Sequence, residues 1–92
     1  MYQITLTRNS IKELKKILKS NPFAGEQIKV FLLALNDEPN PKALLNAKKL
    51  KGYKKDMWRW RVGEYRIIAE IIEDQLIIEV IKISNRSKAY KK

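Results

Sequence analysis

Residues 58–66 read WRWRVGEYR, and this stretch decides the fold of the chain. Apolar and charged residues alternate on both sides of Gly63-Glu64, as they do in β-strands, where neighbouring side chains point to opposite faces. Glycine at the first central position of a two-residue turn favours a hairpin, which would make Val62 and Tyr65 partners. Counting outward from that pair predicts two further partnerships: Arg61 with Arg66, and Trp60 with Ile67.

The predicted hairpin has one apolar face and one basic face. The apolar face holds Trp58, Trp60, Val62, Tyr65, Ile67 and Ala69, and the basic face holds Arg59, Arg61 and Arg66. Like charges on directly opposed strand positions destabilise an empty sheet. A bound anion would offset this repulsion, which makes the basic face the first candidate for function. The alternative is a solvated face on which one arginine pairs with Glu70 or Glu79.

The composition narrows the class of protein. The 92 residues form one domain, 1–92, whose 20 Lys+Arg and 10 Asp+Glu leave a formal charge of +10. Such an excess suits nucleic acid or an acidic protein as partner, and a basic surface that only aids solubility is the alternative. Cysteine and histidine are absent from the sequence, which removes thiol chemistry and the commonest general base and metal ligand. We expect a cytoplasmic protein that contacts no membrane and uses no metal or small-molecule cofactor.

Hydrophobic periodicity predicts the remaining elements. A strand is expected at 3–7, a helix opened by a capping box of Ser10 and Glu13, and a second helix at about 24–35. A breaker at 36–41 precedes a helical turn through 43–47. Strands are predicted at 58–62, 65–72 and 76–84, and the loop near Glu73-Asp74 leaves the register between the last two open. The order β-α-α-β-β-β indicates an α+β fold, with an antiparallel sheet packed against an N-terminal helical hairpin.

Two further segments carry basic residues beside an aromatic one. Residues 48–55, KKLKGYKK, suit a groove for single-stranded RNA, with Lys48, Lys49 and Lys51 as contacts, or form a solvated loop. Near the C-terminus, Arg86 offers a bidentate fork for phosphate and Tyr90 offers stacking on a base. The alternative there is a basic tail without a site.

These residues resemble the RelE/ParE superfamily of toxins from bacterial type II toxin–antitoxin systems. The resemblance runs over nearly the whole chain and is most specific at 60–68, WRVGEYRII, which is similar to the family block L-R-V-G-x-Y-R; KLKG at 49–52 and NRSKAY at 85–90 also match. It implies a RelE/ParE-like, microbial-RNase-like α+β fold and an antitoxin partner. On the RelE branch it further implies an endonuclease that binds the ribosomal A site and 16S rRNA, and cuts the mRNA there by attack of a ribose 2′-OH.

The resemblance also implies roles for individual residues. The expected catalytic residues are Arg59, Arg66, Arg86 and Tyr90, and the expected RNA-binding residues are Lys48, Lys49, Lys51, Arg61 and Lys88. Met57, Lys48 and Asn85 stand where relatives often have a basic residue, a glutamate base and a histidine. The implied chemistry is therefore electrostatic stabilisation of a dianionic transition state. The alternatives are a ParE-like gyrase inhibitor without nuclease activity, and an inactive relative that binds only RNA or an antitoxin.

Overall fold

Two helices pack against one face of a five-stranded mixed sheet in the computed structural model, which describes residues 2–85. The strands are β1 (Gln3–Leu6), β2 (Ala47–Lys49), β3 (Met57–Val62), β4 (Tyr65–Ile72) and β5 (Ile77–Asn85), and the helices are α1 (Arg8–Ser20) and α2 (Pro22–Asn36). Short 3-10 helices lie at Pro41–Ala43 and Glu73–Gln75. The sheet order is β1-β5-β4-β3-β2.

The predicted α+β fold is confirmed, with two differences in the sheet. β1 pairs parallel with β5, whereas the other neighbouring pairs are antiparallel. The helical turn predicted at 43–47 is wrong, because the 3-10 helix ends at Ala43 and Ala47–Lys49 form β2, an edge strand paired with β3. Three residues are too few for an alternating pattern to reveal a strand.

The predicted hairpin between β3 and β4 is confirmed in its register. Val62 pairs with Tyr65, and the two outer partnerships also hold: Arg61 with Arg66, and Trp60 with Ile67. Gly63 has a φ of +59°, the positive value that the first central position of such a turn requires and that glycine adopts without steric cost. The local sequence therefore determines which side chains share each face.

Thr7, and not Ser10, caps the N-terminus of α1. The Thr7 hydroxyl oxygen accepts a hydrogen bond from the Ser10 N–H at 3.2 Å. Ser10 is buried within the first turn, and its hydroxyl lies 2.9 Å from the Val80 carbonyl oxygen. Glu13 accepts from the Ile83 N–H at 2.7 Å. The capping-box prediction is wrong, because the Ser10 and Glu13 side chains both form hydrogen bonds with the backbone of β5 instead of with the first turn of α1.

The core lies between the helices and the sheet, as the apolar face of the hairpin predicts. Trp60 is fully buried, and its indole N–H donates to the Pro41 carbonyl oxygen at 3.0 Å. The other large, fully buried apolar side chains come from α2, β4 and β5: Ile28, Leu35, Ile67, Ile78, Val80 and Ile83. Burial of an aromatic side chain of this size is among the largest single contributions to a small core.

A bulge in β5 resolves the register that the sequence left open. Ala69 pairs with Val80, but the preceding Ile68 pairs with Lys82, so one extra residue of β5 lies between these pairs. The extra residue reverses the alternation of side chains along the strand. Lys82 and Ser84 consequently point to the side of the sheet away from the helices, and Ile83 enters the core.

Candidate nucleic-acid interface

The face of the sheet opposite the helices, termed here the open face, carries five cations at the hairpin end. Arg59 and Arg61 lie on β3, and Arg66 of β4 pairs directly with Arg61. Lys48 of β2 pairs with Arg59, and Lys82 of β5 lies in the same cross-strand row. Directly paired positions have Cβ atoms about 5 Å apart, which covers the pairs Lys48–Arg59 and Arg61–Arg66. Lys82 lies beyond Ile68, one strand further from Arg59, and completes the patch. This patch is termed the cationic surface: Lys48, Arg59, Arg61, Arg66 and Lys82.

Arg59 is the buried member of the cationic surface. Its side chain is buried, with 8% of the residue exposed, and its Nη1 donates to the Asn46 carbonyl oxygen at 2.8 Å. The Asn46 side-chain amide donates to the Arg61 carbonyl oxygen at 2.8 Å, and the Arg61 N–H donates to the Asn46 carbonyl at 3.1 Å. One residue before β2 therefore positions both a guanidinium and the backbone of β3.

Arg61 and Arg66 are the more exposed of the three arginines in the patch. Arg61 is exposed and Arg66 is half-buried. A shallow depression of about 340 Å³ lies beside them, lined by Leu45, Asn46, Arg59, Arg61 and Gly63. Each guanidinium presents N–H donors in a planar fork that matches two oxygens of a phosphate. The arrangement can hold a phosphodiester and stabilise additional negative charge on it.

Asn46, Lys82 and Ser84 belong to this region, and sequence reasoning missed all three. Ser84 pairs with Arg66 across β4 and β5, and its buried hydroxyl makes no hydrogen bond within residues 2–85. The bulge in β5 places Lys82 and Ser84 on the open face, and the alternating pattern of the strand does not reveal it. The position of Asn46 depends on β2, which the sequence also did not show.

The predicted lysine contacts divide between different surfaces. Lys48 joins the cationic surface as the β2 partner of Arg59. Lys49 points to the other side of the sheet, where its Nζ lies 3.3 Å from an Asp56 carboxylate oxygen. Lys51 is exposed in the loop between β2 and β3. Three predicted contacts lie outside the described residues: Arg86, Lys88 and Tyr90.

The acidic residues of the open face lie away from the hairpin. Glu70 and Glu79 are paired with each other on β4 and β5, and Glu70 lies 3.8 Å from the Lys55 Nζ. Ile68 separates Glu70 from Arg66 along β4. The open face is therefore divided into a cationic half near Gly63 and a half that carries both glutamates.

Asp56 anchors the start of β3 through hydrogen bonds on the helix side. Its carboxylate lies 2.8 Å from the Lys42 Nζ and accepts from the Trp58 indole N–H at 2.8 Å. Burial raises the pKa of Asp56, but hydrogen bonds from Lys42, Trp58 and Lys49 outweigh this and hold the pKa below its usual value. The hydrogen bond to Asp56 is also the main reason why the pKa of Lys42 is raised.

The same network reaches the N-terminal strand and the turn after β4. Lys42 Nζ lies 3.0 Å from a Glu73 carboxylate oxygen, and the Tyr2 hydroxyl donates to Glu73 at 2.7 Å. The hydrogen bond from Tyr2, followed by that from Lys42, lowers the pKa of Glu73, and the same bond raises the pKa of Tyr2. These contacts serve the fold, since they lie on the side of the sheet away from the cationic surface.

Within residues 2–85, His, Cys, Asp and Glu side chains form no group of three that could hold a metal ion. None of the helices described there has the length and apolar character needed to cross a membrane.

The sequence also matches a family of small toxins. The family model described as ParE toxin of type II toxin-antitoxin system, parDE, matches residues 4–90. The chain therefore belongs to the RelE/ParE superfamily, and it is a RelE-like toxin of a type II toxin–antitoxin system.

Individual relatives agree with this assignment. A Methanocaldococcus jannaschii protein assigned as toxin RelE1 is 31% identical over 90 residues, which cover 98% of this chain and 96% of the relative. The toxin fold also matches two solved archaeal complexes. That of RelE with RelB from Pyrococcus horikoshii OT3 has a TM-score of 0.75 at 24% identity, over 95% of this chain and 97% of the other. That of RelB with RelE from Methanococcus jannaschii has a TM-score of 0.72 at 26% identity, over 94% of each chain.

Proposed function

We propose that this toxin is a ribosome-dependent mRNA endonuclease whose catalytic face is the cationic surface. The observation that carries the proposal is the cross-strand pairing of Arg61 with Arg66, beside the buried Arg59. Two guanidinium groups held opposite each other repel in the empty protein, and a phosphodiester removes that repulsion. The similarity to RelE toxins supports a nuclease rather than a general RNA-binding protein.

The reaction proposed is attack of a ribose 2′-OH on the adjacent phosphorus. The new P–O bond forms as the bond to the 5′-oxygen of the next nucleotide breaks. The 2′-OH gives its proton to water and the departing 5′-oxygen takes one from water, which leaves a 2′,3′-cyclic phosphate and a 5′-hydroxyl. The phosphorus passes through a state with additional negative charge on its non-bridging oxygens. Arg66 and Arg61 contact this charge, and Arg59 stabilises it from below in an environment of lower dielectric constant.

Substrate alignment is assigned to the ribosome. In-line attack requires the 2′-oxygen, phosphorus and leaving oxygen to be arranged nearly in a row, and holding reactants in such a geometry lowers the barrier substantially. The cationic surface is a shallow patch on a sheet, so it binds phosphate without enforcing the conformation of a flexible strand. We therefore expect cleavage of mRNA on ribosomes and little cleavage of free RNA.

Primer extension on mRNA from a translation reaction tests the proposal. The wild-type toxin should produce new 5′ ends within codons, and Arg66→Ala should lose them by 10²-fold or more, a magnitude on the order of that for removing one electrostatic contact to a transition state. Lys29→Ala, which removes an exposed charge on α2 away from the patch, serves as the control. Intact mRNA with the wild-type toxin would contradict the proposal.

A second candidate function is inhibition of DNA gyrase, because the matching family model carries the ParE description. On this reading the cationic surface binds a protein or DNA and performs no chemistry. The two functions separate in parallel assays with one protein preparation. Inhibited supercoiling together with uncut mRNA would support the gyrase inhibitor and exclude the nuclease.

The partner that controls this toxin is proposed to be a cognate antitoxin that covers α2. This helix is apolar on most sides although only one side is buried: Phe23, Val30 and Leu33 are 75%, 64% and 70% exposed. An apolar helix surface of this kind suits a protein partner, and the two archaeal structures that the fold matches are toxin–antitoxin complexes.

Calorimetric titration with the antitoxin encoded beside the toxin gene tests this surface. Phe23→Ser/Val30→Ser should weaken binding by at least tenfold, since two large side chains would no longer be buried. Lys29→Ser, on the same helix, is the matched control. Unchanged affinity of the double variant would show that the antitoxin binds elsewhere.

A further inference from the structure

A second group of cations forms a continuous ridge along α1, away from the cationic surface. The ridge consists of Arg8, Lys12, Lys15, Lys16 and Lys19, all of which are exposed. Their spacing of three or four residues places them on one side of the helix, over a length of about 16 Å at 1.5 Å per residue. The four lysines also line an open groove of about 890 Å³ beside the helix.

The charges of the ridge are not neutralised within the described part of the chain. None of the five cations makes an ion pair with any residue in 2–85. Glu13 is the one carboxylate of α1, and it is used to accept the Ile83 N–H at 2.7 Å. Like charges three or four residues apart destabilise a helix, and α1 carries several such pairs without compensating acids.

The position of α1 separates the ridge from the proposed catalytic face. α1 contributes Ile17 to the core on the helix side of the sheet, whereas Arg61 and Arg66 lie on the open face. A single short strand of mRNA bound to the open face would not extend to the outer side of α1. A ligand that contacts both the α1 ridge and the cationic surface must be large and must carry phosphates on more than one of its sides.

The chemistry of the ridge favours RNA over a protein. The cations repeat at about 6 Å along the helix axis for each four residues, a spacing similar to that of successive phosphates in an RNA strand. Three exposed large apolar side chains that a protein partner could bury lie together on α2: Phe23, Val30 and Leu33. On α1 only Ile11 is an exposed large apolar side chain, at 41%, and it lies at the edge of the ridge beside Arg8 and Lys15.

We propose that the α1 ridge is a second RNA-binding surface, which docks on the phosphate backbone of folded RNA while the cationic surface engages mRNA. Within the proposed function, the folded RNA is ribosomal RNA, and the inference rests on that function for this identification. Binding through phosphates is independent of sequence and strongly dependent on salt. The ridge would hold the toxin on the ribosome without taking part in the cleavage reaction.

Binding of a fluorescent RNA duplex of mixed sequence, and of isolated small ribosomal subunits, tests the ridge without any cleavage. Lys12→Gln/Lys16→Gln should reduce the slope of log affinity against log salt by roughly 1 for each lysine, and weaken binding about tenfold at physiological salt. Lys29→Gln removes an exposed lysine from α2, where no RNA contact is proposed, and should leave both quantities nearly unchanged. Circular dichroism of both variants shows whether α1 remains folded.

The possible outcomes distinguish this inference from the proposed function. Ridge-dependent binding to both probes supports it even if no mRNA is cut, a result that would remove only the nuclease proposal. Arg61→Gln/Arg66→Gln should retain ridge-dependent binding to the duplex. Equal affinity and equal salt slope for wild type and Lys12→Gln/Lys16→Gln would overturn the inference. The inference would also be overturned if Lys12→Gln/Lys16→Gln bound RNA as well as wild type but bound the antitoxin more weakly, because the ridge would then serve a protein partner.

Discussion

The guanidinium of Arg59 donates to the backbone carbonyl oxygen of Asn46 at 2.8 Å, and this contact joins the segment before β2 to β3. The Asn46 side chain completes the connection by donating to the Arg61 carbonyl oxygen at 2.8 Å. Arg59 is thereby held below the surface at a fixed depth, and the β3 backbone that carries Arg61 is held in place. Electrostatic catalysis depends on charges that are fixed before the reaction begins.

Replacement of Asn46 by alanine should therefore reduce activity more than stability. The loss of one partly exposed hydrogen bond is expected to lower the free energy of unfolding by about 1 kcal/mol. The rate of mRNA cleavage at saturating toxin should fall by roughly tenfold as Arg61 loses its fixed position. Urea denaturation and primer extension measure the two effects, and Asn40→Ala, at an exposed position outside the depression, is the control. Asn46→Ala with wild-type cleavage would show that Asn46 has no positioning role.

The carboxylate of Asp56 should make stability depend on pH. Its pKa in the folded protein lies below the usual value, because hydrogen bonds from Lys42, Trp58 and Lys49 outweigh the effect of burial. The stabilisation is therefore present above the unfolded-state pKa of about 3.9 and is lost as pH falls through the lower folded-state pKa. Asp56→Asn should cost about 1 kcal/mol at neutral pH, and the difference from wild type should shrink below about pH 4.

Urea denaturation of both proteins across the acid range measures this difference. Asp74→Asn, at an exposed position of the 3-10 helix after β4, provides a carboxylate control that should show no comparable dependence. If the difference in free energy of unfolding between Asp56→Asn and wild type stayed constant down to the lowest pH, ionisation of Asp56 would not be the cause of the effect.

The local part of the fold could be predicted from the sequence, and the non-local part could not. The β3–β4 hairpin follows from alternation and one glycine, both contained in residues 58–66. The parallel pairing of β1 with β5 depends on how the helical hairpin returns the chain to the sheet. Ser10 and Glu13 have the spacing of a capping box, but their side chains form hydrogen bonds with Val80 and Ile83 of β5, which are close only in the folded protein.

The candidate site divides in the same way. Arg59, Arg61 and Arg66 are predicted on one face because side chains alternate along a strand, and the structure confirms this placement. The burial of Arg59 depends on Asn46 and β2, and the positions of Lys82 and Ser84 depend on a bulge that has no sequence signature of its own. The catalytic roles predicted for Arg86 and Tyr90 stay predictions, since both lie outside the described residues.

Gly25 should be essential for the packing of α1 on α2. A Cβ at this position would lie 2.8 Å from Leu18 Cγ and 2.9 Å from Leu18 Cα, and the latter is backbone that cannot move aside cheaply. Gly25→Ala should therefore destabilise the protein by about 1–3 kcal/mol, even though alanine favours a helix by about 1 kcal/mol. Thermal unfolding measures the change, with the neighbouring surface variant Glu26→Ala as control. A rise in melting temperature for Gly25→Ala would show that the helices separate without cost.

Arg61 should stabilise the complex with RNA and destabilise the free toxin. It lies directly opposite Arg66, and opposed like charges weaken a sheet by roughly 0.2–1 kcal/mol. Arg61→Thr should therefore raise the free energy of unfolding by about 0.5 kcal/mol at low salt while lowering mRNA cleavage. The gain should largely disappear near 1 M salt, where the screening length is about 3 Å. A gain that persists at high salt would instead reflect the β-propensity of threonine. Lys54→Thr controls for the loss of one positive charge. If Arg61→Thr lowered both stability and activity, Arg61 would not destabilise the free toxin, and the prediction would be wrong.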